Sequence, residues 1–293
     1  MPSVDDLDRF LDEDLVPGGG APPRAPAPAR AAELLRGDIT SRALIAPETR
    51  THARVVCREA GVAAGLAEAS EVFARLGVKV EHRARDGEDV ERGRVLLAVD
   101  GPAAAVLAAE RLALNLVGRM SGIATATRDV QRVVAVANPR CRVAATRKTT
   151  PGFRAFEKKA VALGGGEPHR QGLWDAFLVK DNHLAIVKDP AEAVRRCRAL
   201  LPGRPVEVEA DSQAQAVAAA RAGADWVLLD NMPPEEVAGA ARAIRAVAPA
   251  CRIEVSGGLT PERCAAYAPF ADRLSLGWLT HSARSLDVGL DVA

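Results

Sequence analysis

Five short apolar runs in the second half of the chain each end on a polar residue or a glycine: AFLVK at Lys180, PVEVE at Glu209, WVLLD at Asp230, RIEVS at Ser256 and RLSLG at Gly277. Successive run ends are 29, 21, 26 and 21 residues apart. The stretches between them, such as SQAQAVAAARAGA and PEEVAGAARAIRAVA, have helical spacing. Strand then helix, repeated at this interval, is the unit of a parallel α/β barrel. CRVAATRK, ending on Arg147 and Lys148, reads as an earlier strand of the series. An open doubly wound sheet is the alternative architecture. In a barrel the active site is built at the carboxyl ends of the strands, which is where these run-ending residues stand.

The first half reads as a separate α/β unit. Residues 52–100 alternate apolar and polar positions punctuated by glycine, a strand and hairpin pattern. GEDVERGRVL has the outline of a lipoyl-type hairpin but no lysine at its turn, so it is read as scaffold. Leu7, Phe10, Leu11 and Leu15 mark one face of a short helix. PGGGAPPRAPAPAR follows, with five prolines between Pro17 and Pro28, and predicts a flexible loop or insertion. Residues 103–137 are rich in alanine and leucine, and Ser121-Gly122 predicts a break between two helices.

Charge is unevenly placed. Residues 145–170 hold six Lys or Arg against two Glu, in a chain of 293 residues with a net charge of only +1. Near neutrality argues against a general nucleic-acid or membrane-surface binder, so the basic stretch is expected to serve a compact anion. The five cysteines are scattered and contain no C-x-x-C, which fits reduced thiols better than disulfides or zinc. The acidic start resembles no signal peptide, and no uncharged apolar run approaches the ~18 residues of a membrane helix. A soluble, cytoplasmic protein is expected.

The run ends suggest chemistry. Arg147 and Lys148, followed by two threonines, suit carboxylate or phosphate oxygens. In GGGEPHR, three glycines expose backbone N–H groups just before His169 and Arg170. VKDNH brings Lys180; His183 beside it is read as a structural hydrogen-bonder. Glu209 and Asp230 end successive runs, so two carboxylates would come close together. They could form a structural ion pair with Lys180, or hold Mg²⁺ or ribose hydroxyls and stabilise positive charge at a sugar carbon. SGGLT and GWLTHS close the last two runs, so Ser256, Gly257, Gly258, Gly277 and His281 fit a phosphate cradle. The phosphate loop of nucleotide triphosphatases, the dinucleotide fingerprint, the nucleophile elbow and the zinc-binding H-E-x-x-H are all absent.

Taken in order from about Gly37 to the C-terminus, TRKTTPGFR, EKKAVALGGG-x-x-HR, VKDNH, EVE, LLDNM, SGG and GWLTHS resemble the quinolinate phosphoribosyltransferases. The resemblance implies an N-terminal α/β sandwich domain over residues 1–117 with an insert at 16–35, rejoined by the terminal segment 283–293. It implies an α/β barrel over 118–282. The implied reaction joins quinolinate to phosphoribosyl pyrophosphate with Mg²⁺, giving nicotinate mononucleotide, pyrophosphate and CO2. By the same resemblance Arg147, His169, Arg170 and Lys180 line the quinolinate pocket, with Arg111 supplied by the partner subunit of a homodimer or an assembly of dimers. Lys148 faces the pyrophosphate, Glu209 and Asp230 hold ribose hydroxyls and metal, and Ser256 to Gly258, Gly277 and His281 take the 5′-phosphate.

The chain departs from the family pattern at the 16–35 insert, at Pro168, and at Trp278, which stands where a small residue is common. Three rival readings remain beside this one: a phosphoribosyltransferase-like protein of the molybdate-gene type, a non-catalytic pyridine-carboxylate binder, and a phosphosugar lyase or isomerase using Lys180 as a Schiff base. The intact KDNH segment speaks against the first, and carboxylates at both Glu209 and Asp230 speak against the second.

Overall fold

The structure is a computed structural model that describes residues 4–16 and 27–292. In chain order its helices are α1 (Val4–Leu15), α2 (Ala27–Leu34), α3 (Ile39–Leu44), α4 (Leu66–Arg75), α5 (Ala103–Ala137), α6 (Arg154–Leu163), α7 (Asp181–Val187), α8 (Pro190–Leu200), α9 (Gln213–Arg221), α10 (Pro234–Val247), α11 (Pro261–Tyr267) and α12 (Trp278–His281). The strands are β1 (Arg50–Cys57), β2 (Gly61–Val62), β3 (Lys79–His82), β4 (Asp89–Val90), β5 (Val95–Pro102), β6 (Arg142–Ala144), β7 (Phe177–Val179), β8 (Val206–Ala210), β9 (Trp226–Asp230), β10 (Arg252–Ser256), β11 (Arg273–Ser275) and β12 (Val288–Val292). Two compact units result. The first holds residues 1–126, 155–164 and 283–293, and the second 127–154 and 165–282.

The first unit contains an antiparallel sheet in the order β12-β1-β5-β3. The last residues of the chain close its edge, with Ala53 opposite Val292 and Cys57 opposite Val288. Helix α6 belongs to this unit because its charges are answered there. Lys159 Nζ lies 2.7 Å from Glu68 and 3.5 Å from Asp86, and the buried Glu157 accepts from Arg119 at 2.7 Å. The basic stretch of the sequence is therefore divided, and only part of it is available to a ligand.

Two expectations are corrected in this unit. Helix α5 runs unbroken through Ser121-Gly122. The pair serves packing: Ser121 Oγ accepts from the Ala64 N–H at 2.9 Å, and a Cβ on Gly122 would collide with the Arg284 carbonyl. Part of the 16–35 insert is also ordered. Residues 27–34 form α2, whose Leu34 is buried, and Arg30 just inside it pairs with Asp12 of α1. Residues 17–26 lie outside the described residues. In α1, Leu7, Leu11 and Leu15 are buried, while Phe10 packs its ring 5.8 Å from that of Phe156.

The second unit is a six-stranded parallel sheet in the order β6-β11-β10-β9-β8-β7, its strands alternating with helices. Val206, Val208, Val227, Leu229, Ile253, Val255 and Leu274 all point one way and are nearly inaccessible to solvent. Helices α8 and α9 pack on these strands. The alternate positions are mostly polar: Glu207, Glu209, Asp230, Glu254, Ser256, Arg273 and Ser275. Arg273 on β11 reaches Glu207 on β8 at 3.1 Å, although two strands lie between them. In a flat sheet three strand steps would span roughly 14 Å. The sheet therefore curls around its polar face, as in a barrel, and encloses charge where barrels usually enclose branched aliphatics.

Candidate active site

The curl gathers the carboxyl ends of the strands around one cavity of about 750 Å³. Register explains the meeting of the two carboxylates foreseen from sequence. Glu209 on β8 sits opposite Leu228 on β9, so Asp230 ends the neighbouring strand two residues on, opposite Ser256 of β10. Every candidate residue except Arg111 lines this cavity. Arg111 lies exposed on α5, in the first unit.

Cations stand at the two edges of the sheet. Arg147 and Lys148 follow β6, and Lys180 follows β7, where its ammonium is paired with Glu209. Arg170 is pulled below the usual guanidinium range by burial and by the charge of Arg147. Arg147 Nε is buried without a hydrogen-bond partner. Two guanidiniums that repel one another, one with an idle donor, suit an anion. His169 adopts a left-handed backbone with φ of 55°. Its Nδ1 accepts from the Arg170 N–H at 2.7 Å, which puts the ring proton on Nε2. Lys180 N–H donates to His183 Nδ1 at 2.9 Å, so His183 caps α7, in keeping with a structural part.

Carboxylates occupy the middle of the sheet. Burial and the neighbouring Glu209 charge raise the Asp230 pKa. Asn231 Nδ2 donates to Asp230 Oδ2 at 2.5 Å, and Asn231 itself holds φ at 56°. Two carboxylates on adjacent strand ends, one of them resisting ionisation, suit a hard divalent cation that would share their charge. A second acidic group, His169, Glu207 and Glu254, presents ligand atoms within 4.8 Å of one another. That place is already filled by a cation. Arg273 bonds Glu254 through Nε and Glu207 through Nη2, and its guanidinium carbon stands 3.9 Å from the centre of the Trp226 ring. Burial opposes ionisation of Glu254, but Arg273 and His169 overcome it and hold the group at about 2.

Glycine turns follow β10 and β11. Gly257 and Gly258 have φ of 100° and 55°, and a Cβ on Gly257 would strike Asn231. A Cβ on Gly277 would come within 2.9 Å of the Lys148 side chain. Both turns are braced by side chains. Trp278 Nε1 donates to the Leu259 carbonyl at 3.1 Å, and Thr280 Oγ1 to the Lys148 carbonyl at 2.7 Å.

The family models agree with this geometry. The quinolinate phosphoribosyl transferase N-terminal domain matches residues 38–121, and its C-terminal domain matches 123–291. The chain belongs to the quinolinate phosphoribosyl transferase family. The carboxylating nicotinate-nucleotide pyrophosphorylase of Mycobacterium leprae is 45% identical over 262 residues, covering 87% of this chain and 91% of its own. The human protein of the same name is 38% identical over 253 residues, covering 85% and 84%. The solved nicotinate-nucleotide pyrophosphorylase of Ehrlichia chaffeensis superimposes with a TM-score of 0.86 at 30% identity, over 99% of both chains.

Sequence reasoning missed several cavity residues of this family member: Thr146, Asn231, Glu254 and Ser275. Thr146 and Asn231 adjoin residues that it found. Glu254 and Ser275 lie inside strands, where only the alternation of RIEVS and RLS signals that they share a face with the cavity.

Proposed function

We propose that this cavity transfers a phosphoribosyl group from phosphoribosyl pyrophosphate to quinolinate, with loss of CO2, to form nicotinate mononucleotide for NAD synthesis. The observation that carries the reading is the convergence of Arg147, Lys148, Arg170 and Lys180 with Glu209 and Asp230 and two glycine turns on a single cavity. A dianionic ring acid and a cosubstrate with three phosphoryl groups need that many cations and N–H donors. An oxocarbenium-like sugar needs the carboxylates.

Arg147, Arg170, His169 and Lys180 hold the two ring carboxylates and aim the pyridine nitrogen at the anomeric carbon. Lys148 meets the pyrophosphate. Ser256, Gly257, Gly258, Gly277 and His281 hold the 5′-phosphate. As the nitrogen–carbon bond forms and pyrophosphate leaves, Glu209 and Asp230 face the positive charge that grows on the sugar. The ring nitrogen is then cationic. The C2–carboxylate bond breaks with its electron pair left on C2, beside that charge, and a proton replaces the departed CO2. No covalent nucleophile is needed. Glu209 and Asp230 would hold Mg²⁺, whose charge would offset that of the pyrophosphate.

Arg111 is assigned to the quinolinate pocket of a partner subunit in a homodimer or an assembly of dimers. Five unpaired cysteines support a reducing, cytoplasmic location. Among the described residues no helix is long and apolar enough to cross a membrane.

The test is mass-spectrometric detection of nicotinate mononucleotide from quinolinate, cosubstrate, Mg²⁺ and purified protein. Nicotinic acid, which lacks the C2 carboxylate, should be a very poor substrate, and equal turnover of the two acids would sink the assignment. Arg147→Ala should weaken quinolinate by ~2–5 kcal/mol and the cosubstrate far less, because a paired charge is removed.

A further inference from the structure

Ser275 is 4% exposed, lines the cavity, and its Oγ has no hydrogen-bond partner. It stands beside Glu254 and helps to keep that carboxylate ionised, yet makes no bond of ordinary length and angle with it. A buried hydroxyl left without a partner is costly, and polar groups in that state mark places where something else completes the bonding. Among the described residues the other buried side-chain atom on the cavity wall without a partner is Arg147 Nε.

The register brings these two groups to the same quarter of the cavity. Ser275 lies opposite Ala144 on β6, and Arg147 follows that strand three residues later. On its other side, β11 pairs with β10, whose Ser256 is level with Ser275. Ser275 shares the inward face of β11 with Arg273, while Leu274 between them is buried on the outer face. It therefore closes the strand, two residues before the Gly277 turn. On the proposed reading the 5′-phosphate is cradled at the turn, which leaves Ser275 to the ring acid.

We propose that Ser275 is a specificity-determining residue, which with Arg147 Nε holds one carboxylate of the pyridine acid. This rests on quinolinate being the acceptor. The hydroxyl, poorly placed for Glu254, can turn its single proton to the ligand oxygen, and being uncharged it tolerates Glu254 next to it. Glu254 repels any carboxylate that approaches without such a donor between them, so the hydroxyl separates an acid correctly seated from one displaced.

Ser275→Ala removes one oxygen, and a thermal melt checks that the fold is kept. Calorimetric titration with quinolinate alone, in the absence of cosubstrate, should show binding weakened about tenfold, and the KM for quinolinate should rise alike. Turnover at saturation and the KM for phosphoribosyl pyrophosphate should change less than about twofold. Pyridine-2-carboxylic and pyridine-3-carboxylic acids, used as competitors, should divide: one loses affinity in the variant and the other does not. Ser275→Cys, which keeps the shape but donates poorly, should resemble the alanine variant. The proposal is overturned if wild type and Ser275→Ala bind quinolinate equally, or if the loss falls on the cosubstrate. A wild-type protein that binds no quinolinate would overturn the functional reading together with it, and that result is plainly different from equal binding by both proteins.

Discussion

The indole N–H of Trp278 donates to the backbone carbonyl of Leu259 at 3.1 Å, so one side chain ties the glycine turn after β10 to the short helix after β11. The tryptophan, which in sequence suggests a bulky intruder beside a phosphate site, is also a brace. Trp278→Phe keeps most of the volume and loses the bond. A hydrogen bond of this kind contributes ~1 kcal/mol, so the KM for phosphoribosyl pyrophosphate should rise about fivefold while that for quinolinate stays constant. A changed preference among pyridine carboxylates would place the indole at the acceptor instead.

Asp230 and Glu209 should govern turnover more than binding. Replacement by Asn and Gln should lower kcat by about 100-fold or more, with quinolinate affinity nearly unchanged. Burial and the Glu209 charge raise the Asp230 pKa, and in the proposed mechanism the ionised form is the one that faces the growing positive charge. Activity should therefore increase as pH rises through a point above the ordinary aspartate value of 3.8. The residual activity of Asp230→Asn should lack that acid limb, which a pH–rate profile will read. Normal turnover in both variants would make the carboxylates structural.

Arg273 answers two buried carboxylates at once, so Arg273→Met should destabilise the protein by ~3–5 kcal/mol in denaturant titration. Adding Glu254→Gln should restore part of the loss, since one of the unpaired charges is then gone. Additive losses in the double variant would contradict the geometry.

Arg111 and Lys148 offer a test of the shared site. Arg111→Ala and Lys148→Ala homodimers should both be nearly inactive. After unfolding and reassembly of a mixture, each heterodimer regains one complete site, and activity should follow the heterodimer fraction. Heterodimers shown to form but without activity would put Arg111 in its own subunit's site.

What the sequence disclosed and what it hid follow from range. Strand ends are marked locally, by an apolar alternation that stops at Glu209 or Asp230, and the parallel topology then brings those ends together. Gly122 was misleading because a glycine required for close approach to Arg284 looks the same in sequence as one that breaks a helix. Residues 27–34 hold a helix despite Pro28, since a helix tolerates proline in its first turn and Leu34 supplies a buried anchor. The link between Arg273 and Glu207 was invisible: it depends on the curvature of the sheet, and nothing within 66 residues of chain announces it.

The two faces of the second unit's strands have separate duties. Valine, leucine and isoleucine on the outer face hold helix to sheet, while Glu209, Asp230, Glu254, Ser256 and Ser275 of the inner face line the cavity and the loops beyond the strands bring its cations and glycines. Chemistry and folding are thus written in alternate letters of the same short words. A change of substrate in such a protein could be drafted by rewriting the loops beyond the strands and every second residue of four strands, leaving the letters that make it fold untouched.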